Sequence, residues 1–250
     1  MNQKTLKTII SYDGSEFFGY AKQPHQNTIQ NKIESALISL GIIINKDNPL
    51  IASGRTDKGV HATYQVLSFK IPSFWTTNIS KLQESLNIIL SPSIYIKKMQ
   101  IVHDNFHARY DAKKRVYRYI FSENVSIFEQ KYITQYNLTN KQLFKQAIKL
   151  LEGTHNFRYF AKEPSDKNCI RTIYKTYLYE KEILNKKYYI FSIYSNGFLR
   201  NQIRFIVGFL FKLCNNEFTI DHLKSQLNIT QRYNIKKAPP NGLYLSKVIY

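Results

Sequence analysis

The sequence predicts an α+β fold built as two mixed halves, residues 1–104 and 105–250. Three observations carry this. Segments of two-residue hydrophobic period alternate with segments of helical period, the pattern of sheets covered by helices. The series starts afresh after His107. No low-complexity linker parts the two stretches, so the halves are expected to share an interface. No internal repeat is evident, and 250 residues suffice for one large core or two smaller ones.

Taken in order, Leu6–Tyr12 reads as a first strand closed by the turn Asp13-Gly14. Ile29, Ile33, Ala36, Leu37 and Leu40 recur at helical spacing, with Asn27 as the expected N-cap, Gln30 three residues on and Gly41 as the stop. Gln65–Lys70 alternates as a strand. Leu82, Leu86, Ile89 and Leu90 mark a helix halted near Pro92, and Ser93–Val102 is a strand again. In the second series, Arg115–Phe121 is a strand with Tyr117, Tyr119 and Phe121 on one face. Leu143, Ala147, Leu150 and Leu151 predict a helix ending at Gly153. Strands at Arg171–Glu180 and Lys186–Tyr194 turn at Leu184-Asn185. Phe198–Leu213 is a buried helix, Ile220–Leu227 an amphipathic one and Leu243–Ile249 a terminal strand.

Composition narrows the partners. Lys and Arg total 36 against 17 Asp and Glu, a formal charge of +19. That excess repels itself in a compact chain, and attraction of a polyanion is its commonest use; the alternative is a lysine-rich composition with no function. The 19 Tyr and 16 Phe supply faces on which unpaired bases can stack. Cys169 and Cys214 form no CxxC pair and no disulfide framework, which indicates a reducing compartment. The N-terminus lacks the apolar run of a signal peptide. The longest apolar stretch, Phe205–Leu213, is too short for a bilayer and contains Lys212. A soluble, cytoplasmic protein with no membrane partner is expected.

The densest polar cluster is Gly54-Arg55-Thr56-Asp57-Lys58-Gly59-Val60-His61-Ala62. Two glycines bracket a carboxylate flanked by cations, and those cations favour its ionised form. An ordinary solvent-screened loop is the competing reading. His103 and His107 stand four apart but lack the glutamate of H-E-x-x-H, and two histidines do not complete a zinc site. No P-loop, G-x-G-x-x-G, G-x-S-x-G or D-x-D-x-D occurs. Tyr117 and Tyr119 lie in a basic strand and either pack in the core or stack on a flipped base. Arg204 interrupts an apolar helix. It either snorkels to the surface or meets a carboxylate across a cleft, Asp57 being the candidate.

These residues resemble the tRNA pseudouridine synthase A family nearly end to end. The similarity runs through YDGS at 12–15, FGY at 18–20, GRTDKGVHA at 54–62, FHARYDA at 106–112 and YRY at 117–119. It continues through EGTHNF at 152–157, RTIY at 171–174, NGFLRNQIRFIVG at 196–208 and GLYLSKV at 242–248. The resemblance implies two ferredoxin- or RRM-like halves with antiparallel sheets flanking a central active-site cleft. It also implies a homodimer that needs no cofactor or metal. The implied activity is isomerisation of uridine to pseudouridine in the anticodon arm of tRNA, just 3′ of the anticodon. Position by position, Asp57 is implied as the catalytic aspartate and Tyr117 as the tyrosine that stacks on the target base. Arg55 is implied as a phosphate contact that helps flip the nucleotide, Arg204 as the partner of Asp57, and Leu245 as a wall of the base pocket. The chain departs from the family at Tyr20, where Trp is usual, and at Ala21-Lys22-Gln23-Pro24, where a basic run often stands. The rival readings are a related synthase with another RNA target and a non-catalytic RNA-binding protein.

Overall fold

A computed structural model describes residues 3–162 and 168–250. The chain divides into two compact units, one running to Lys113 and including Tyr244–Tyr250, the other spanning Lys114–Leu243.

The first unit is built on β1 (Lys4–Tyr12), α1 (Ile29–Ser39), β2 (Ile51–Ala52), β3 (His61–Ile71), α2 (Ser73–Thr76), α3 (Ile79–Leu90) and β4 (Ile94–Val102). β1 pairs antiparallel with β3 on one side and β4 on the other, and β2 adds to β3. Ile29, Ile33, Ala36 and Leu37 form the buried stripe of α1, and Leu82, Leu86 and Leu90 that of α3. Ile89, expected on that stripe, is exposed. The α1 cap is Thr28, whose side chain accepts from the Asn31 N–H, and not Asn27. Asn27 is committed elsewhere: its carbonyl accepts from Phe18 N (2.9 Å) and its amide donates to the Glu16 carbonyl (3.3 Å).

The second unit carries β5 (Lys114–Ser122), β6 (Thr134–Gln135), α4 (Lys141–Leu150), β7 (Gly153–Asn156), β8 (Ile170–Ile183), β9 (Lys186–Ser195), α5 (Gln202–Cys214) and α6 (Ile220–Leu227). β5, β9, β8 and β7 lie in that order, all antiparallel. Tyr119, Phe121, Phe144, Phe191 and Phe209 are among its fully buried side chains. The buried stripe of α4 is Phe144, Ala147 and Ile148, followed by Leu151; Leu143 and Leu150 are only half-buried. α5 starts at Gln202 rather than Phe198. Asn201 sits in the left-handed region (φ 63°), and the Gln202 amide oxygen takes the Leu199 N–H (2.7 Å), so the helix cannot extend backwards.

The last strand, β10 (Leu243–Ile249), returns to the first unit from Tyr244 onward. It lies parallel to β3, with Tyr244 opposite His61 and Leu245 opposite Ala62. β6 on β5 is also parallel. The ladders are therefore mostly antiparallel, with parallel pairs at β3–β10 and β5–β6. Both cysteines are buried and neither is in a disulfide, and among the described residues no helix is long and apolar enough to cross a membrane.

The β8–β9 hairpin turns at the two residues the sequence indicates, Leu184 (φ 50°) and Asn185 (φ 57°). Positive φ at both positions is the turn that matches strand twist, and it favours Asn and Gly over a Cβ-branched or bulky residue. Leu184 is 96% exposed, so no packing compensates its left-handed backbone. Leu184→Gly is expected to raise unfolding stability by about 0.5–1 kcal/mol, read as a higher urea midpoint at unchanged slope.

Candidate active site

The Asp57 loop connects β2 to β3, and nearly every residue around Asp57 is tied to a neighbouring element. At its start, the fully buried Gln65 donates from its amide to the Gly54 carbonyl (2.7 Å) and accepts the Ser53 hydroxyl. Ser53 N donates to the Val66 carbonyl (2.8 Å). At its end, Val60 N donates to the Asp57 carbonyl (3.1 Å), closing a tight turn in which Gly59 takes φ 75°. In the middle, Thr56 shares a 2.8 Å hydrogen bond with the Tyr12 hydroxyl, and its carbonyl accepts from Tyr20 N (3.0 Å).

The segment between β1 and α1 packs directly against this loop. A Cβ on Gly14 would lie 2.1 Å from the Val60 carbonyl oxygen. A Cβ on Gly19 (φ 99°) would lie 2.9 Å from the Thr56 carbonyl oxygen. Gly14 N donates to His61 Nδ1 (3.1 Å). Behind the segment, α1 contributes its unpaired N-terminal donors: Ile29 N to the Gly19 carbonyl (3.2 Å) and Gln30 N to the Tyr20 carbonyl (2.9 Å). Backbone is thus stacked on backbone, leaving room only for glycine at two points.

The apex of the loop faces outward. Arg55 and Lys58 are exposed and Asp57 is half-buried. The Lys58 ammonium sits 3.8 Å from the centroid of the Phe18 ring, a cation–π contact that holds it to the same segment. Tyr20, the departure from the family, is buried, and its hydroxyl finds no partner among the described residues. Burial pushes its pKa well above the ordinary tyrosine value, with Tyr12 and Glu34 adding to the shift and Arg55 opposing it.

Leu245 is fully buried on β10, opposite Ala62. The His61 ring stacks on Tyr244 at 4.8 Å, and its Nδ1 lies 3.2 Å from Asp13 Oδ1. The first unit therefore brings Asp57, Arg55 and Leu245 onto neighbouring segments.

The other two sequence-predicted residues belong to the second unit. Tyr117, on β5 opposite Ile193, is 8% exposed and meets the Phe198 ring edge-on at 5.2 Å. Tyr119, for which core packing and base stacking were both open, is core: none of it is exposed. Arg204 is half-buried on α5, and its Nε donates to the Ala238 carbonyl at 2.8 Å. The Arg204 carbonyl accepts from Ala238 N in return (2.9 Å).

A profile described as tRNA pseudouridine synthase matches residues 8–111 and 147–250, which include the whole Asp57 loop, Arg204 and Leu245. The chain belongs to the tRNA pseudouridine synthase family. A tRNA pseudouridine synthase A of Campylobacter jejuni is 39% identical over 249 residues, covering 98% of this chain and 99% of its own. That of Helicobacter pylori is 38% identical, covering 99% of this chain and all of its own. That of Wolinella succinogenes is 36% identical, covering 98% and 94%.

Sequence reasoning placed the bracketing glycines at Gly54 and Gly59. The structure supports Gly59 and moves the other requirement to Gly14 and Gly19, since a Cβ on Gly54 meets nothing within 4 Å. Gly14→Ala should cost about 1–3 kcal/mol of stability and displace the loop. Gly54→Ala should stay within about 0.5 kcal/mol of the parent. Melting curves read beside pseudouridine formation check the contrast: activity should fall steeply for the first variant and hold for the second.

Proposed function

We propose that this family member isomerises uridine to pseudouridine in the anticodon arm of tRNA, with Asp57 as its catalytic carboxylate. The observation that carries the reading is the Asp57 loop itself, held on both flanks with a half-buried Asp57 between them. A carboxylate on a loop pinned by backbone hydrogen bonds is preorganised, and preorganisation is what a one-residue catalyst has to offer. The length of the match, nearly all of this chain and of its relatives, supports the same activity here.

The chemistry requires that the N-glycosidic bond break, that uracil turn, and that it rejoin the ribose through carbon. Glycoside hydrolysis uses two carboxylates and a water. Here no water is consumed and the detached base is retained, so one carboxylate suffices. It acts by attack at the sugar, by attack at the uracil ring or by proton abstraction. The target base must first leave its stack, at a cost of a few kcal/mol. Stacking on Tyr117 and a phosphate contact from Arg55 offset that cost, and Leu245 lines the base pocket. Arg204 is the proposed partner of Asp57, through the two parallel hydrogen bonds that a guanidinium can offer a carboxylate. The +19 charge supports a polyanionic substrate. A homodimer acting on tRNA in the cytoplasm completes the reading.

One observation favours a second reading, a related target in RNA: Tyr20 and Ala21-Lys22-Gln23-Pro24 replace residues usual in the family beside the Asp57 loop.

Asp57→Asn keeps size and hydrogen-bonding shape but removes the charge. Pseudouridine formation on unmodified tRNA is expected to fall by about three orders of magnitude or more, with tRNA affinity retained. Both are measured on one preparation, by product analysis and filter binding. Turnover within a few-fold of the parent would remove Asp57 from the chemistry.

A further inference from the structure

We infer that Tyr119 is a positioning residue for Arg204, acting through the loop segment that ends at Pro239. The inference rests on the reading of Arg204 as part of the site.

Residues 231–239 contain no regular secondary structure. Backbone groups in such a segment must find partners outside a ladder or helix. Pro239 and Pro240 lack N–H donors and stiffen its end. Contacts at residues 236–239 pin its end within the second unit. The Arg204 carbonyl and Nε take both backbone groups of Ala238. The Tyr119 hydroxyl donates to the next carbonyl, that of Pro239, at 2.8 Å. On α5, one turn beyond Arg204, Gly208 admits the Lys236 carbonyl oxygen to within 2.1 Å of where a Cβ would stand.

Tyr119 is in turn fixed from behind. Its hydroxyl lies 2.8 Å from Thr134 Oγ1, which lies 3.0 Å from Asn241 Oδ1. The Asn241 amide donates to the carbonyls of Gln130 (2.7 Å) and Ile133 (2.9 Å). Burial holds the Tyr119 hydroxyl protonated far above its ordinary range, so it remains a donor. The ring packs against Phe121 and Phe211, which Phe at this position would preserve.

The consequence concerns the direction of the guanidinium. Once Nε is spent on the Ala238 carbonyl, the plane of the fork follows that carbonyl. The edge that meets an anion is then the one formed by the two Nη groups. Moving Pro239 by a few tenths of an ångström turns this edge, and two parallel hydrogen bonds are sensitive to such a turn.

The test is a two-by-two comparison of Tyr119→Phe and Arg204→Lys on a tRNA transcript. Single-turnover pseudouridine formation and tRNA affinity are both measured. Tyr119→Phe is expected to slow the chemical step about fivefold or more, the value of one lost hydrogen bond. Affinity should stay within about twofold. In the Arg204→Lys background the same change should cost almost nothing, because no fork remains to aim. An equal cost in both backgrounds would overturn the inference, as would a parental rate for Tyr119→Phe beside a slow Arg204→Lys. A parental rate for Arg204→Lys would instead remove Arg204 from the site and take the inference with it. If Tyr119→Phe does not fold, Gly208→Ala displaces the same segment from the α5 side while leaving a better helix former in place. The same pattern of rates is then expected.

Discussion

The first unit depends on one constraint: the backbone of residues 14–20 lies close enough to the backbone of residues 56–60 to exclude a Cβ at two points. Side chains normally keep two loops apart. Here Gly14 and Gly19 remove that separation, and Tyr20 N then reaches the Thr56 carbonyl directly. The far side of the same segment satisfies the first donors of α1, so the helix, the glycine segment and the Asp57 loop form one stack. A helix N-terminus is rigid, and each hydrogen bond in the stack transmits that rigidity toward Asp57. A flexible loop would have to order itself on every encounter with substrate, at about 1–2 kcal/mol for each residue's backbone. This loop is ordered beforehand.

Arg204 in the second unit obeys a similar rule by different means. An arginine in an apolar helix needs an acceptor, and the Ala238 carbonyl supplies one. The acceptor belongs to a segment without secondary structure, so its own position has to be secured. Gly208 and the Tyr119 hydroxyl do that. In both units glycine lets backbone approach backbone, and a buried tyrosine hydroxyl, Tyr12 or Tyr119, ties the arrangement to a strand.

Much of this was legible in the sequence, for physical reasons. Strands and helices with a strong period, such as β1, α1, α3 and the β8–β9 hairpin, were placed to within a few residues because burial of one face imposes the pattern. The Leu184-Asn185 turn was legible because it is the only break between two alternating runs. The short strands β2, β6 and β7 were not, since two to four residues hold no period. The start of α5 was misplaced because the apolar pair Phe198-Leu199 reads as part of the helix, whereas a left-handed Asn201 keeps that pair outside it. Asp57, Arg55, Tyr117, Arg204 and Leu245 stand out in the sequence as candidates through their motifs. Their supports were harder to find. Gln65 reads as one more polar residue in a strand, and only its burial reveals the bond to Gly54. The role of Gly14 was hidden for a related reason: the atom it avoids, the Val60 carbonyl oxygen, belongs to backbone and leaves no mark in side-chain chemistry.

The central claim is that this loop carries out an isomerisation in the anticodon arm of tRNA. Mapping pseudouridine nucleotide by nucleotide in unmodified tRNA treated with the purified protein, while measuring released uracil, tests it most directly. The account predicts pseudouridine just 3′ of the anticodon, with every converted uridine recovered as pseudouridine and no free uracil. Pseudouridine confined to other regions of the tRNA, or uracil released in place of pseudouridine, would contradict it.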